Sequence, residues 1–364
     1  MRASARKKLD PAMRSEIVLG MEESLKRRVV GQDEAVAELV RAYEAFKFGM
    51  AIPNRPVANL LFLGPTGSGK TFVVEMLAEV LFGSAKALLK VDCSEYRHGH
   101  EIAKLTGSPP GYVGHRETPP LLSQEALDKH QRDDLKLSLV LFDEIEKASE
   151  DLWNLLLGIL DKATATMGNN QAVDFSHCIV VLTGNLGGRE GQYLMEGGMG
   201  FSGSSASKLA NASTERGIGK AVMEAVKRKF TPEFRNRLDA TVVFHRLGKA
   251  EMMRIAANEL DEIQKRILSM PQEKWFVLRF TDAVKEYLVA NGTDDRNGAR
   301  PLKRLIEKAI MGPLVRLVST SQVKFGDLVE VDAAKGQVTF HKIGEAVLKR
   351  EDLLEKVAEA TAAA

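Results

Sequence analysis

Residues 64–71 read Gly-Pro-Thr-Gly-Ser-Gly-Lys-Thr, the spacing G-x-x-x-x-G-K-[ST] of a P-loop, which suits a chain of phosphates. Gly64, Gly67 and Gly69 let the backbone turn tightly enough for its N–H groups to face an anion, with Pro65, Thr66 and Ser68 completing the loop. Lys70 can reach β- and γ-phosphates, and the Thr71 hydroxyl can ligate Mg²⁺. A helix beginning near Gly69 adds its positive dipole end to the same place. Further along, the apolar run Leu137-Ser138-Leu139-Val140-Leu141-Phe142 ends in Asp143-Glu144. In that position Asp143 would hold Mg²⁺ and Glu144 would polarise an attacking water as general base, a Walker B layout. Each motif alone has a plainer explanation, a glycine-rich turn or two surface carboxylates closing a buried strand. In this order and combination they point to nucleotide chemistry.

Such residues need a rigid sheet behind them. The run Asn59-Leu60-Leu61-Phe62-Leu63 delivers the chain to the loop as a strand, and a helix over about 70–82 carries it away. Further strands are expected at Ala87–Asp92, Leu137–Phe142, His177–Thr183 and Thr241–Phe244, with helices such as Leu152–Leu160 between them. These strands are apolar almost throughout, the pattern of a parallel sheet covered on both faces by helices. From Gly248 the chain becomes mainly helical, with helices expected at Lys249–Leu268, Thr281–Asn291 and Pro301–Val318. Short strands are expected at Phe276–Phe280, Leu328–Val331 and Gln337–His341. The organisation expected is α/β: a charged helical lead-in over 1–28, a large domain with a parallel five-stranded sheet over 29–247, a smaller mainly helical domain with a short sheet over 248–342, and a C-terminal helix and tail over 343–364. Residues 186–219 are rich in Gly and Ser and read as a flexible insertion.

Composition bounds the possibilities. The 364 residues are 44% hydrophobic and 27% charged with a formal net charge of +2, ordinary for a globular protein and no argument for nucleic acid. No apolar run has membrane-spanning length. The basic N-terminus (Arg2, Arg6, Lys7, Lys8) lacks the apolar stretch of a secretory signal. Cys93 and Cys178 each fall in or beside an apolar strand and read as reduced core thiols, which points to the cytoplasm.

The motifs resemble the AAA+ ATPases of the Clp class, in particular the second ATPase module of the ClpA, ClpB and ClpC proteins, over about residues 22–341. Val29-Val30-Gly31-Gln32-Asp33-Glu34-Ala35 is similar to the segment that cradles adenine there. Gly107-Ser108-Pro109-Pro110-Gly111-Tyr112-Val113-Gly114 is similar to the central pore loop, and Asp143 to Ala148 to the extended Walker B. Leu182-Thr183-Gly184-Asn185 resembles the sensor-1 segment, Phe230 to Asp239 the arginine-finger segment and Gly298 to Arg304 the start of the sensor-2 helix.

The resemblance implies ATP and Mg²⁺ as ligands, a ring homo-oligomer such as a hexamer, and an unfoldase or remodelling chaperone that threads polypeptide clients through a central pore. Asn185 would bond the lytic water or γ-phosphate, Tyr112 and Val113 would grip the client, and Arg300 would close over the nucleotide. An arginine reaching an adjoining copy's γ-phosphate would be worth about 10³–10⁵ in rate. Charge alone does not separate Arg235 from Arg237, and the family pattern favours Arg237; the plainer alternative for both is an ion pair with Glu233 or Asp239. Met199-Gly200-Phe201 resembles the tripeptide by which some Clp unfoldases dock a ClpP-type peptidase. Three features depart from the pattern. There is one ATPase module where two are usual, so the chain is a stand-alone relative or a segment of a longer one. The expected second pore loop, Asp161 to Asn170, is less acidic and less glycine-rich, and prolines stand at Pro119-Pro120 where the family has a double glycine. A nucleotide-controlled adaptor with little turnover is the rival reading, countered by Glu144, Asn185, Arg237 and Arg300; a DNA-directed motor is disfavoured by the near-neutral charge.

Overall fold

The computed structural model describes residues 10–108, 120–186, 219–271, 274–293 and 298–345. Among them, one compact unit holds residues 10–63, 70–186 and 219–243, and a second holds 64–69 with those from 244 onward.

The first unit is built on a five-stranded sheet in the order β2-β3-β6-β1-β7. Its strands are β1 (Ala58–Leu63), β2 (Leu89–Asp92), β3 (Ser138–Asp143), β6 (Cys178–Gly184) and β7 (Ala240–Val243), and every pairing is parallel. The apolar runs become strands because both faces are covered: each residue of β1 and β6 is buried, as are Ser138–Phe142 of β3. All carboxyl ends of a parallel sheet lie at one edge, and ligands collect there. Register fixes the geometry, with Leu63 level with Gly184 on one side and with Val243 on the other.

Helices carry the crossovers. Helix Glu16–Arg28 starts where the Ser15 hydroxyl accepts the Val18 N–H, opens on Glu16 and ends in Lys26-Arg27-Arg28, charges that suit its dipole. Helix Lys70–Phe82 buries Val73, Val74, Leu77, Ala78 and Leu81 against the sheet. Helix Glu150–Lys162 buries Leu152, Leu156, Ile159 and Leu160, and ends at Ala163 in the left-handed region (φ 51°). Trp153 packs against Phe230 and Phe234 with ring centroids 4.8 and 5.0 Å away. Cys93 and Cys178 are buried and free; burial pushes both thiols up, and Asp143 adds to the effect at Cys93.

The expected second pore loop begins in the last turn of helix Glu150–Lys162 and contains a three-residue strand. β4 (Thr164–Thr166) pairs antiparallel with β5 (Ala172–Asp174), and the Gly168 N–H donates to the Thr106 carbonyl at 2.8 Å. The alternation of buried Ala165 and Val173 with exposed neighbours explains it, a period-two pattern too short to stand out in the sequence.

In the second unit, helices Lys249–Leu268 and Asp282–Gly292 pack with a three-stranded sheet in the order β10-β9-β8, made of β8 (Val277–Phe280), β9 (Asp327–Ala334) and β10 (Gln337–Glu345). The helix expected over 301–318 is not continuous. It runs Arg300–Ile306, widens into a π turn at Glu307–Met311 and resumes at Gly312–Ser319. Pro313 has no N–H to donate to the preceding turn, which loosens the ladder there. Glu345 ends β10 and does not begin a helix; the remainder of the expected C-terminal helix lies outside the described residues. So do all but the first and last residues of 186–219.

Candidate functional site

At the carboxyl edge of the sheet, β1 runs into the loop 64–69. Gly64, Gly67 and Gly69 all take positive φ (150°, 78° and 98°), which explains the residue type at each. The Ser68 hydroxyl closes the turn on the Pro65 carbonyl at 2.8 Å. Gly298 lies with this loop in the second unit: a Cβ on it would come within 2.5 Å of the Gly67 carbonyl oxygen, and the Ala299 N–H donates to that carbonyl at 3.5 Å. Arg300, the next residue, is exposed and opens its helix.

Lys70 is the first residue of its helix and 7% exposed, and its ammonium donates to Asn185 Oδ1 at 3.0 Å. Thr71 Oγ1 lies 3.2 and 3.3 Å from the two oxygens of Asp143, at the end of β3. Two sequence-distant oxygen donors therefore converge beside the loop, a donor set of the kind that holds a hard cation such as Mg²⁺.

Glu144 stands in the left-handed region (φ 57°, ψ 46°), uncommon for a side chain with a Cβ. Its N–H donates to Thr183 Oγ1 at 3.2 Å, and the same hydroxyl donates to Asp143. The Glu144 carboxylate pairs with Lys147 and accepts from Asn185 Nδ2 at 3.3 Å. Asn185 thus bridges Lys70 and Glu144. Its own backbone N–H donates to Glu146 Oε1 at 3.1 Å. Gly184 leaves no room for a side chain, since a Cβ there would lie 2.9 Å from Leu63 and 3.1 Å from Glu146 Oε2. Lys90, on β2, pairs with Asp143 at 3.3 Å.

Lys70, Thr71, Asp143, Glu144 and Asn185 are therefore brought together. Thr183, Glu146 and Lys147 belong to the same network and lie inside segments whose motifs named only their neighbours; Lys90 had no signal beyond its strand. Val29 and Val30 are buried between the first two helices, and Val29 closes the first by donating to the Leu25 carbonyl at 2.7 Å. Tyr112, Val113 and Met199–Phe201 lie outside the described residues.

Arg237 is elsewhere. It precedes β7, which begins level with Leu60, so it sits at the amino edge of the sheet. Its guanidinium lies 3.1 Å from a Glu233 oxygen and 3.5 Å from the Asp161 carboxylate, and donates to the Glu233 carbonyl at 2.8 Å. The ion pair with Glu233 that charge alone allowed is present. Arg235 keeps a buried Nε that makes no hydrogen bond among the described residues.

Residues 55–241, just over half of the chain, match the AAA domain (Cdc48 subfamily), and residues 247–331 match the C-terminal, D2-small domain, of ClpB protein. The chain belongs to the AAA+ ATPases, in their Clp class. It is 38% identical over 327 residues to the chaperone protein ClpB of Rhodopseudomonas palustris, covering 90% of this chain and 34% of that one. To the ATP-dependent Clp protease ATP-binding subunit ClpA homolog of Pyropia yezoensis it is 38% identical over 326 residues, 89% of this chain and 38% of the relative. The chain thus spans little more than a third of these curated relatives. Among solved structures it is similar to a closed-state reconstruction of Hsp104 with ATPγS and FITC casein, at a TM-score of 0.73 and 32% identity over 90% of this chain and 52% of that one. An extended conformation of the S. cerevisiae Hsp104:casein complex gives a TM-score of 0.72 and 31% identity, over 91% of this chain and 53% of that one.

Proposed function

We propose that the chain is the ATP-hydrolysing module of a ring-forming protein remodeller, divided into a large domain over 29–247 and a small domain over 248–342. One observation carries the reading: the Lys70–Asn185–Glu144 constellation lies at one edge of the sheet and Arg237 at the other. Four residue steps of β1, from Asn59 to Leu63, span roughly 13 Å at about 3.3 Å per residue. Arg237 is held to that far edge by Asp161 and Glu233 and does not reach its own Lys70. An arginine so placed serves a neighbour, and the neighbour's arginine serves this chain.

The chemistry follows from the groups present. The loop 64–69 and Lys70 bind the β- and γ-phosphates of ATP, with adenine near Val29 and Val30. Thr71 and Asp143 would hold Mg²⁺, which offsets phosphate charge when bound. Glu144 accepts the proton of the attacking water. Asn185 can hold both that water and the γ-phosphate, being already bonded to the ammonium and the carboxylate on either side. Arg237 of the adjoining copy meets the charge that develops in the transition state, and Arg300 reports the nucleotide to the small domain.

In the ring, as a hexamer, Tyr112 and Val113 grip an unfolded or aggregated polypeptide in the pore. The Hsp104 structures named above contain casein, which supports this client class. Docking of a ClpP-type peptidase at Met199–Phe201 and a cytoplasmic setting complete the proposal; among the described residues no helix is long and apolar enough to cross a membrane. The test is electron microscopy of the Glu144→Gln protein with ATP. Rings with Tyr112 at a central channel are expected, and monomers under saturating ATP would overturn the reading.

A further inference from the structure

Asn59 is the one polar residue inside β1, and it is 0% exposed. A buried amide amid Leu60, Leu61 and Phe62 costs stability unless it is bonded; its Oδ1 is buried without a hydrogen-bond partner among the described residues, so its Nδ2 carries the side chain's bonds. Its Nδ2 donates to the Arg237 carbonyl at 3.0 Å and to the Leu160 carbonyl at 2.9 Å. Its main chain is tied to the same segment twice: the Asn59 N–H donates to Asp239 Oδ2 at 2.7 Å, and the Asp239 N–H to the Asn59 carbonyl at 2.8 Å. Arg55, just upstream, donates to Asp239 Oδ1 at 3.1 Å and to the Arg237 carbonyl at 3.4 Å. The guanidinium of Arg237 is meanwhile held by Asp161, one residue beyond Leu160 on the same helix.

We infer that Asn59 is a positioning residue for the arginine in trans: it fixes the backbone of Arg237 to the strand that feeds the subunit's own phosphate loop. The inference rests on the reading that Arg237 serves an adjoining copy. Asn59 stands at the amino end of β1, four residues before Leu63 and the loop that follows it. It makes β1, the end of helix Glu150–Lys162 and the arginine segment one body, so that a displacement of β1 at its loop end is delivered to Arg237 at the far end. A shift of about an ångström at a charge-stabilising group is enough to cost up to ~10²-fold in rate.

The test is complementation between subunits, read as phosphate release per competent site. Asn59→Ser is expected to lower kcat about tenfold with nucleotide affinity unchanged, since only placement is lost. Mixing it with Glu144→Gln protein, which has an intact Asn59 and Arg237 but a dead site, should raise turnover per Asn59→Ser subunit at least about threefold, because some sites now receive a well-held arginine. Arg237→Ala mixed with Glu144→Gln is the parallel arm. If Arg237→Ala is not rescued, the reading of Arg237 as a trans residue fails and this inference with it. If Arg237→Ala is rescued and Asn59→Ser is not, or if Asn59→Ser weakens binding of a fluorescent ATP analogue, the inference alone is overturned. Should Asn59→Ser fail to fold, the half-exposed Arg55→Ala removes the other side-chain donor to the Arg237 carbonyl and is expected to show the same rescue from a smaller deficit; absence of rescue there overturns the inference equally.

Discussion

The two ends of β1 are built by different means. At the carboxyl end, Lys70, Thr71, Asp143, Glu144, Thr183 and Asn185 come from three sequence segments, and each segment supplies its residues within three consecutive positions. At the amino end, Arg55, Asn59, Asp161, Glu233, Arg237 and Asp239 also come from three segments, but they are spaced along them and are joined largely through main-chain carbonyls and single side chains. In the proposed reading, one end makes a phosphate site from contiguous motifs and the other mounts a charged group for a neighbour. Chemistry at the first would then require groups in fixed mutual order, whereas the second would need only a rigid mount.

The sharpest way to break this contrast is at the carboxyl end. Glu144→Gln should keep nucleotide binding and reduce steady-state phosphate release by about 10³-fold or more, since a general base and its charge are both lost. Lys70→Ala should instead abolish tight binding of a fluorescent ATP analogue. A Glu144→Gln protein that turns over normally would remove Glu144 as the base and return Asp143-Glu144 to the status of strand-closing carboxylates.

Arg237→Ala is comparable in size. An arginine acting in trans is worth about 10³–10⁵ in rate. The variant should lose most of that with nucleotide affinity intact, and the turnover of the unaltered protein should fall on dilution. Full turnover at every dilution would show instead that the amino end is only an ion-paired surface, with Glu233 and Asp161 as its partners.

The sequence made the first end legible and showed the second only in part, the arginine segment but not its mount, for physical reasons. A phosphate loop needs glycines at fixed offsets because its backbone must take positive φ, so Gly64, Gly67 and Gly69 announce it. The fully buried strands announce themselves as apolar runs, and the five-stranded parallel sheet follows from them. Asn59 broke such a run, which was its only signal; what it bonds to depends on β7 lying beside β1, and pairing order is a property of the fold. Lys147 and Lys90 face the two Walker B carboxylates for the same reason, through a turn and a neighbouring strand. The interruption at Glu307–Met311 was foreshadowed by Pro313, a residue that cannot donate within a helix, although the apolar spacing there continues across it.

A smaller effect tests how stiff the mount must be. Phe234 is 1% exposed, stacks on Phe230 at 5.3 Å and packs tilted against Trp153 at 5.0 Å, within the arginine segment. Phe234→Ala should cost about 3–5 kcal/mol in chemical denaturation. At temperatures where it remains folded, it should lower turnover more than nucleotide affinity.

The smallest expected effect lies in the second unit. Burial of Asp327 would raise its carboxyl, but the Lys342 ammonium at 2.7 Å and the Lys324 N–H at 2.9 Å hold it below the usual carboxylate range. A carboxyl depressed in the folded state contributes stability that is present above its unfolded value, about 3.9, and is lost as pH falls through the folded value. Lys342 is raised by the same pair, so its share is present below about 10.4, the free lysine value, and is lost only above that. Both contributions are therefore intact at neutral pH. Denaturation midpoints should hold steady down to about pH 4 and then decline, with Asp327→Asn flattening the decline. Turnover of Asp327→Asn at neutral pH should match the unaltered protein, because this pair belongs to the second unit's own sheet. A turnover defect there, with stability preserved, would mean that the chemistry draws on the three-stranded sheet as well, and the division between a phosphate end and a mounted arginine would be too simple.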